Sequence, residues 1–410
     1  MNNEVRQLWS RRLDRTCAIT GALTPAGLVI GNIGFEFIVA MVIVVWFIRL
    51  AVTYDNSFRF LGRHSLVIAW AAWFITIVIS VVVNGPGSKG FIHDIAFMRY
   101  LFFGMALLDT ARRVTVSQYL VYGLAAGVIW AAINTLCAHV SGYDLIGKPL
   151  VRYTAKLKEA ARIAGMASYA APFFMAWGLM DKGLGLQKKI AVIAIGLTAF
   201  ALLLVIHIRT DLLAAAAGIF VISAYFVCKR VSLMTAAFLA IILASVTALF
   251  FLSENMLDLT SFYDRIYYWK VSYALWLDHP VFGVGVSSFQ DAYKHKAASG
   301  TISAYIAPTG QVFKEAAAYS AHSLILMLLA CTGISGFAAF VWLFVKAFQR
   351  ILNDLSGFRI GLLTWPAVLS VLGITGCNIY HSWYQALFAF LIVLIGSNIG
   401  NQNESQKKYV

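Results

Sequence analysis

Runs of about twenty apolar residues recur along this chain with only short polar breaks, and no other feature restricts its fold as strongly. Inside a bilayer no water is available to backbone N–H and C=O groups, so a spanning segment must pair them within itself, as a helix does. With 60% apolar and 12% charged residues, a soluble domain of this length is excluded. Apolar windows at 17–31, 34–52, 66–83, 91–109, 117–139, 163–181, 190–206, 211–228, 233–253, 321–345, 361–380 and 382–399 predict an all-α integral membrane protein of about twelve transmembrane helices. The first window follows Arg11, Arg12 and Arg15 without a small-residue cleavage site, so it is expected to be retained rather than removed as a signal peptide.

One polar stretch, residues 254–320, breaks this pattern and divides the chain. Residues 1–253 hold helices one to nine with short loops, 254–320 form a large loop between the ninth and tenth helices, 321–399 hold helices ten to twelve, and 400–410 are a tail. Lys and Arg set the orientation, because short cytoplasmic loops retain positive charge. Placing the amino terminus inside puts about nineteen basic residues in cytoplasmic segments and about twelve outside, with Arg99 inside a span. Both termini are then cytoplasmic, and the long polar loop faces outward, which is the periplasm for a bacterial inner-membrane protein.

The net charge of +14 is mostly held in these cytoplasmic loops. No basic run interleaved with aromatics forms a soluble face, which argues against nucleic acid. Five cysteines (Cys17, Cys137, Cys228, Cys331, Cys377) fall in or beside spans without paired spacing, indicating neither a disulfide framework nor a zinc site. The outer acidic residues are scattered without ligand spacing, so no metal or other cofactor is expected.

The basic residues that violate the topology are the informative ones. Lys148, Arg152, Lys156, Lys158 and Arg162 lie in the loop before the sixth span, spaced for a short interfacial helix over 148–162. His207-Ile208-Arg209-Thr210-Asp211 is an ionisable cluster where two apolar spans meet, and Arg265 lies in the long loop. Guanidinium forks suit phosphate oxygens, so a membrane-borne diphosphate is a natural ligand. Snorkelling to lipid headgroups is the plainer reading for Arg152, Lys156 and Lys158. Ala321-His322-Ser323 opens an apolar helix from the outer side, where a neutral imidazole reaches a hydroxyl; a helix cap is the structural alternative. His93, His139, His279, His295 and His381 are also outside but show no comparable convergence. Between Ser261 and Leu277 the loop is rich in aromatics, including Tyr267, Tyr268 and Trp269, which can anchor at the interface or stack on sugar faces.

In this order the features resemble the O-antigen ligase family, a group that also includes O-antigen polymerases and bacterial O-oligosaccharyltransferases. The resemblance covers most of the chain. It rests on the topology, on Arg162-Ile163-Ala164-Gly165, on Arg209-Thr210 opening a helix, and on Asp264-Arg265 followed by Trp269. His279-Pro280-Val281-Phe282-Gly283-Val284-Gly285, and then His322 followed by Gly333-Ile334-Ser335-Gly336, are its most specific blocks. The chain departs from many relatives in having Ile208 and Thr210 around the arginine, where they carry serine and glycine. Tyr319, Ser320 and Ala321 stand where many relatives carry a second histidine or an asparagine.

The resemblance implies a GT-C-like, metal-independent, inverting glycosyltransferase at the outer face of the bacterial inner membrane. It would transfer a glycan from undecaprenyl diphosphate to a sugar hydroxyl of lipid A-core, completing lipopolysaccharide. Arg209 and Arg265 would offset charge on the departing diphosphate, with Arg162 and Arg152 in support, and His322 would act on the acceptor hydroxyl. Lys156, His207, Tyr268 and Trp269 complete the expected substrate-binding set. Two other readings stay open: a polymerase or O-oligosaccharyltransferase using the same donor, and a lipid-linked glycan transporter or flippase.

Overall fold

The computed structural model describes residues 3–85, 88–147, 160–228, 260–306, 312–313, 318, 320–353, 356–375 and 379–397. The protein is overwhelmingly helical. Among the described residues, eight helical segments are long and apolar enough to cross a membrane. They are α3 (Asn32–Thr53), α5 (Ser65–Asn84), α6 (Ser88–Ala96) continuing through Phe97 into α7 (Met98–Thr110), α8 (Val116–Ser141), α9 (Ala160–Met180), α10 (Leu186–Ile206), α14 (Leu324–Leu352) and α15 (Gly357–Thr375). The apolar α16 (Ser382–Gly396) is shorter, and α11 is Arg209–Cys228. The expected span 233–253 lies outside the described residues.

The first window, 17–31, is not one helix. α1 (Asn3–Ala22) ends at Leu23, and a separate seven-residue α2 (Thr24–Ile30) follows with Pro25 in its first turn. Proline lacks the N–H that a continuous helix would need there and instead starts a new one. Gly123 of α8 lies so close to the α1–α2 bend that a Cβ would strike the Ala22 backbone.

α9 is the most enclosed of the spanning segments, packed by α10, α11 and α15. Around it the core is aromatic: Phe173 meets Trp365 edge-tilted at 5.4 Å, and Tyr169 shares a 2.8 Å hydroxyl–hydroxyl hydrogen bond with Tyr384 of α16. Buried hydroxyls in an apolar interior need a partner, and this pair supplies one.

The polar segment is organised rather than loose where it is described. It holds α12 (Thr260–Asp278), α13 (Phe289–Ala298) and a minimal antiparallel ladder of β1 (Tyr305–Ile306) and β2 (Val312–Phe313), pairing Tyr305 with Phe313 and Ile306 with Val312. α12 buries Tyr267, Val271 and Leu275 at near-helical spacing and packs on α13 and α14.

Candidate active site

The two most specific sequence blocks prove to be halves of one joint. α14 is broken at Gly333, whose φ of 64° and ψ of −165° are open to glycine but not to a residue with a side chain. The turn 280–285 enters that break. Val284 N–H donates to Ala330 O at 2.8 Å and Gly285 N–H to Cys331 O at 2.9 Å, while Ile334 N–H donates back to Pro280 O at 2.9 Å. A Cβ on Gly283 would collide with the Cys331 backbone, and one on Gly333 with the Val281 backbone. Backbone groups freed by the break are thereby satisfied, as buried N–H and C=O groups must be.

Two further bonds fix the joint to the bundle. Asn84, ending α5, donates to Gly283 O at 2.9 Å, and Ser80 donates to Cys331 O at 2.9 Å. Buried Asp94 of α6 accepts from Ser287 N–H and from its hydroxyl, each at 3.1 Å. The polar segment is thus held to α5, α6 and α14 at one end of the bundle.

His322 lies two residues before α14. Its backbone is left-handed, at φ 48°, and its N–H donates to Ser320 Oγ at 3.2 Å. Ser323 caps α14 by accepting from Leu326 N–H. The His322 ring stacks on Tyr268 of α12, with centroids 5.3 Å apart and planes 25° from parallel. Tyr268 also meets Tyr293 of α13 at 6.3 Å. The joint between the polar segment and α14 therefore also sets the ring of His322 against α12.

Charges converge on this ring. Burial, then the neighbouring Arg265 and His381, hold the His322 pKa below its ordinary value. Burial and the Arg209 charge likewise lower that of Arg265, against an opposing effect of Tyr268. His381, which precedes α16, is lowered by burial and by Arg162. Five elements thus bring Arg162, Arg209, Arg265, His322 and His381 into one electrostatic group. Each raises the cost of charge on its neighbours, which an anion would relieve. The downward shifts favour the neutral, proton-accepting form of both imidazoles.

The Arg162–Gly165 block has a structural reason as well. A Cβ on Gly165 would come within 2.8 Å of the Trp383 ring of α16 and 3.9 Å of Asp211 in the first turn of α11. The glycine lets α9 carry Arg162 close to the starts of α11 and α16, which carry Arg209 and His381.

Among the remaining expected site residues, Trp269 follows Tyr268 half-buried on α12. His207 ends α10 in a left-handed conformation at φ 56°. It is exposed and does not figure among the charged neighbours of Arg265, His322 or His381. Arg152 and Lys156, with most of the 148–162 segment, lie outside the described residues. His381 corrects the expectation that it stands apart, since its electrostatic neighbours are His322 and Arg162; no sequence signal marked it, because the His-Ser dipeptide that opens α14 and α16 also opens α5 at His64-Ser65. Arg99 pairs with Glu36 at 2.7 Å and stacks on Tyr100, a local arrangement between α3 and α7. Among the described residues, no three His, Cys, Asp or Glu side chains come together as a metal site would need.

No curated protein sequence matches the chain. Residues 190–341, from α10 through the joint at Gly333, match the profile of the family described as O-antigen ligase. That region holds Arg209, Arg265 and His322, so the chain is a multi-pass helical membrane protein whose residues 190–341 are similar to the O-antigen ligase family.

Proposed function

We propose that the protein is an O-antigen ligase of the bacterial inner membrane, with its active site on the periplasmic face. It transfers a glycan from undecaprenyl diphosphate to a sugar hydroxyl of lipid A-core. The observation that carries this reading is the grouping of Arg209, Arg265 and His322 where the polar segment locks onto α14. In the reaction, His322 takes the proton of the acceptor hydroxyl as its oxygen bonds to the anomeric carbon. The bond from that carbon to the diphosphate oxygen breaks, and undecaprenyl diphosphate leaves with the electron pair. Arg209 and Arg265, supported by Arg162 and Arg152, offset the charge gathering on the leaving group, so no metal is required. A single displacement of this kind inverts the anomeric centre. Lys156 and His207 are assigned to the headgroup, and Tyr268 and Trp269 to the sugars.

An apolar groove of about 270 Å³ between α14 and α15 begins at Leu324 and Ile325, next to His322, and continues past Leu328, Phe337 and Gly373. It suits the isoprenoid chain of the donor, which would bring the diphosphate to the arginines from the side. For a transporter, by contrast, charge should line a path across the bundle, and Arg99 is instead paired with Glu36.

Ligase and polymerase differ in the acceptor. Purified protein given undecaprenyl diphosphate-linked glycan and lipid A-core, without nucleotide and with EDTA, should yield a heavier lipopolysaccharide. Extension on the carrier alone would make it a polymerase, and an intact protein giving neither product would point to transport.

A further inference from the structure

A second polar region lies at the opposite end of the bundle. The α6–α7 segment fixes this polarity: Asp94 near its start holds Ser287 of the polar segment, whereas Asp109 near its end is buried in a separate charged network. There Asp109 accepts from Trp46 Nε1 at 3.0 Å, Arg49 at 3.2 Å, Ser57 at 2.9 Å and Arg113 at 2.8 Å. Arg113 also pairs with Asp14 of α1 at 2.9 Å, and Arg49 with Asp55 at 2.6 Å. Arg49, Arg112 and Arg113 are thus matched by Asp14, Asp55 and Asp109.

Beside this neutral network is a cavity of about 630 Å³, whose walls include Arg11, Asp14 and Arg15 of α1 with Arg113 and Tyr119. Gln7, Arg11, Asp14 and Arg15 share one face of α1 by helical spacing. Arg11 and Arg15 form no ion pair among the described residues, and as an i,i+4 pair of like charge they disfavour their own helix. An anion between them converts that repulsion into attraction. Ser10, Thr115 and Tyr119 add neutral hydroxyl donors. The depression is open on one side, so a phosphate with a polar substituent can enter it.

A second observation points to lipid as the source. Val5, Leu8 and Trp9, on the neighbouring face of α1, are 42%, 44% and 47% exposed. An exposed tryptophan beside apolar residues and arginines is the composition of a helix at the headgroup level. We infer that this cavity is a binding site for the phosphodiester headgroup of an anionic phospholipid, in the leaflet opposite the glycan-transfer site and, by the distribution of basic residues, the cytoplasmic one.

The test is a titration of the purified full-length protein with dioleoyl phosphatidylglycerol or dioleoyl phosphatidylcholine, read by native mass spectrometry. Wild-type protein should hold one phosphatidylglycerol in preference to phosphatidylcholine. The R11Q/R15Q variant should weaken that binding about tenfold. K188Q/K189Q removes as much charge from the same end, on α10 and away from the cavity, and should leave it unchanged. Equal phosphatidylglycerol binding by R11Q/R15Q and wild type would overturn the site, as would an equal loss in K188Q/K189Q. A site filled by inorganic phosphate but not by phosphatidylglycerol would overturn the lipid assignment. Because Arg11 and Arg15 take no part in the Asp14–Arg49–Asp109 network, R11Q/R15Q should keep the thermal midpoint of lipid-free wild type; a collapse of that midpoint would overturn the separation of cavity from network.

Discussion

His322 combines a left-handed backbone, a ring stacked on Tyr268 and the Arg265 guanidinium as a cationic neighbour. Left-handed φ outside glycine costs about 1 kcal/mol or more and is held only where the surroundings enforce it. Here the enforcing parts are the Ser320 and Ser323 hydroxyls and the tyrosine face. Asparagine tolerates this conformation well, so His322→Asn should keep the fold while lowering transfer by a factor of about 10² to 10⁴; wild-type turnover by a normally folded variant would remove the base. The lowered pKa has a definite sign. A base must be unprotonated, so kcat/KM should hold steady through neutral pH and fall only when acid protonates His322, below the ordinary imidazole value near 6.5. An acid limb centred above that value, measured with the free enzyme, would contradict the placement of Arg265 beside the ring.

The joint between 280–285 and α14 explains why two motifs about fifty residues apart occur together. Each motif's glycines were legible in the sequence, but their partnership was not. Backbone bonds such as Val284 N–H to Ala330 O leave no periodic trace in side chains, and close approach at Gly283 and Gly333 is visible only in three dimensions. The same is true of His381, whose proximity depends on Gly165 admitting the Trp383 ring. By contrast, Arg209 and His322 stand out in the sequence, because charge at the end of an apolar run is costly and conspicuous, whereas Arg265 lies within the polar segment. Gly333→Ala should lower stability by about 1 to 3 kcal/mol or more, through its positive φ and its clash with Val281, and should loosen 280–285 to protease. A thermal midpoint and cleavage pattern equal to wild type would show that the joint does not hold the site.

Across the whole molecule, the apolar runs indicated a helical membrane protein, and eight described helices are long and apolar enough to span, but the runs missed the break between α1 and α2 at Pro25. They could not show that the bundle has two polar poles. One carries the converging arginines and histidines; the other is the network around Asp109, assembled from α1, α3, α4 (Ser57–Leu61) and α7. Removing one charge from a buried, hydrogen-bonded group strands its partners. Asp109→Asn should therefore cost about 3 to 5 kcal/mol and sharply reduce the folded protein recovered from membranes, whereas exposed Lys188→Gln should not; equal recovery of the two would mean that the network contributes little. The central claim concerns the other pole. It is tested most directly by measuring nucleotide-free transfer from undecaprenyl diphosphate-linked glycan to lipid A-core with wild type and Arg265→Ala at matched folded amounts. A loss of about a hundredfold or more on removal of the guanidinium is the expected result, and an undiminished rate in Arg265→Ala would contradict a diphosphate-stabilising site at this end of the bundle.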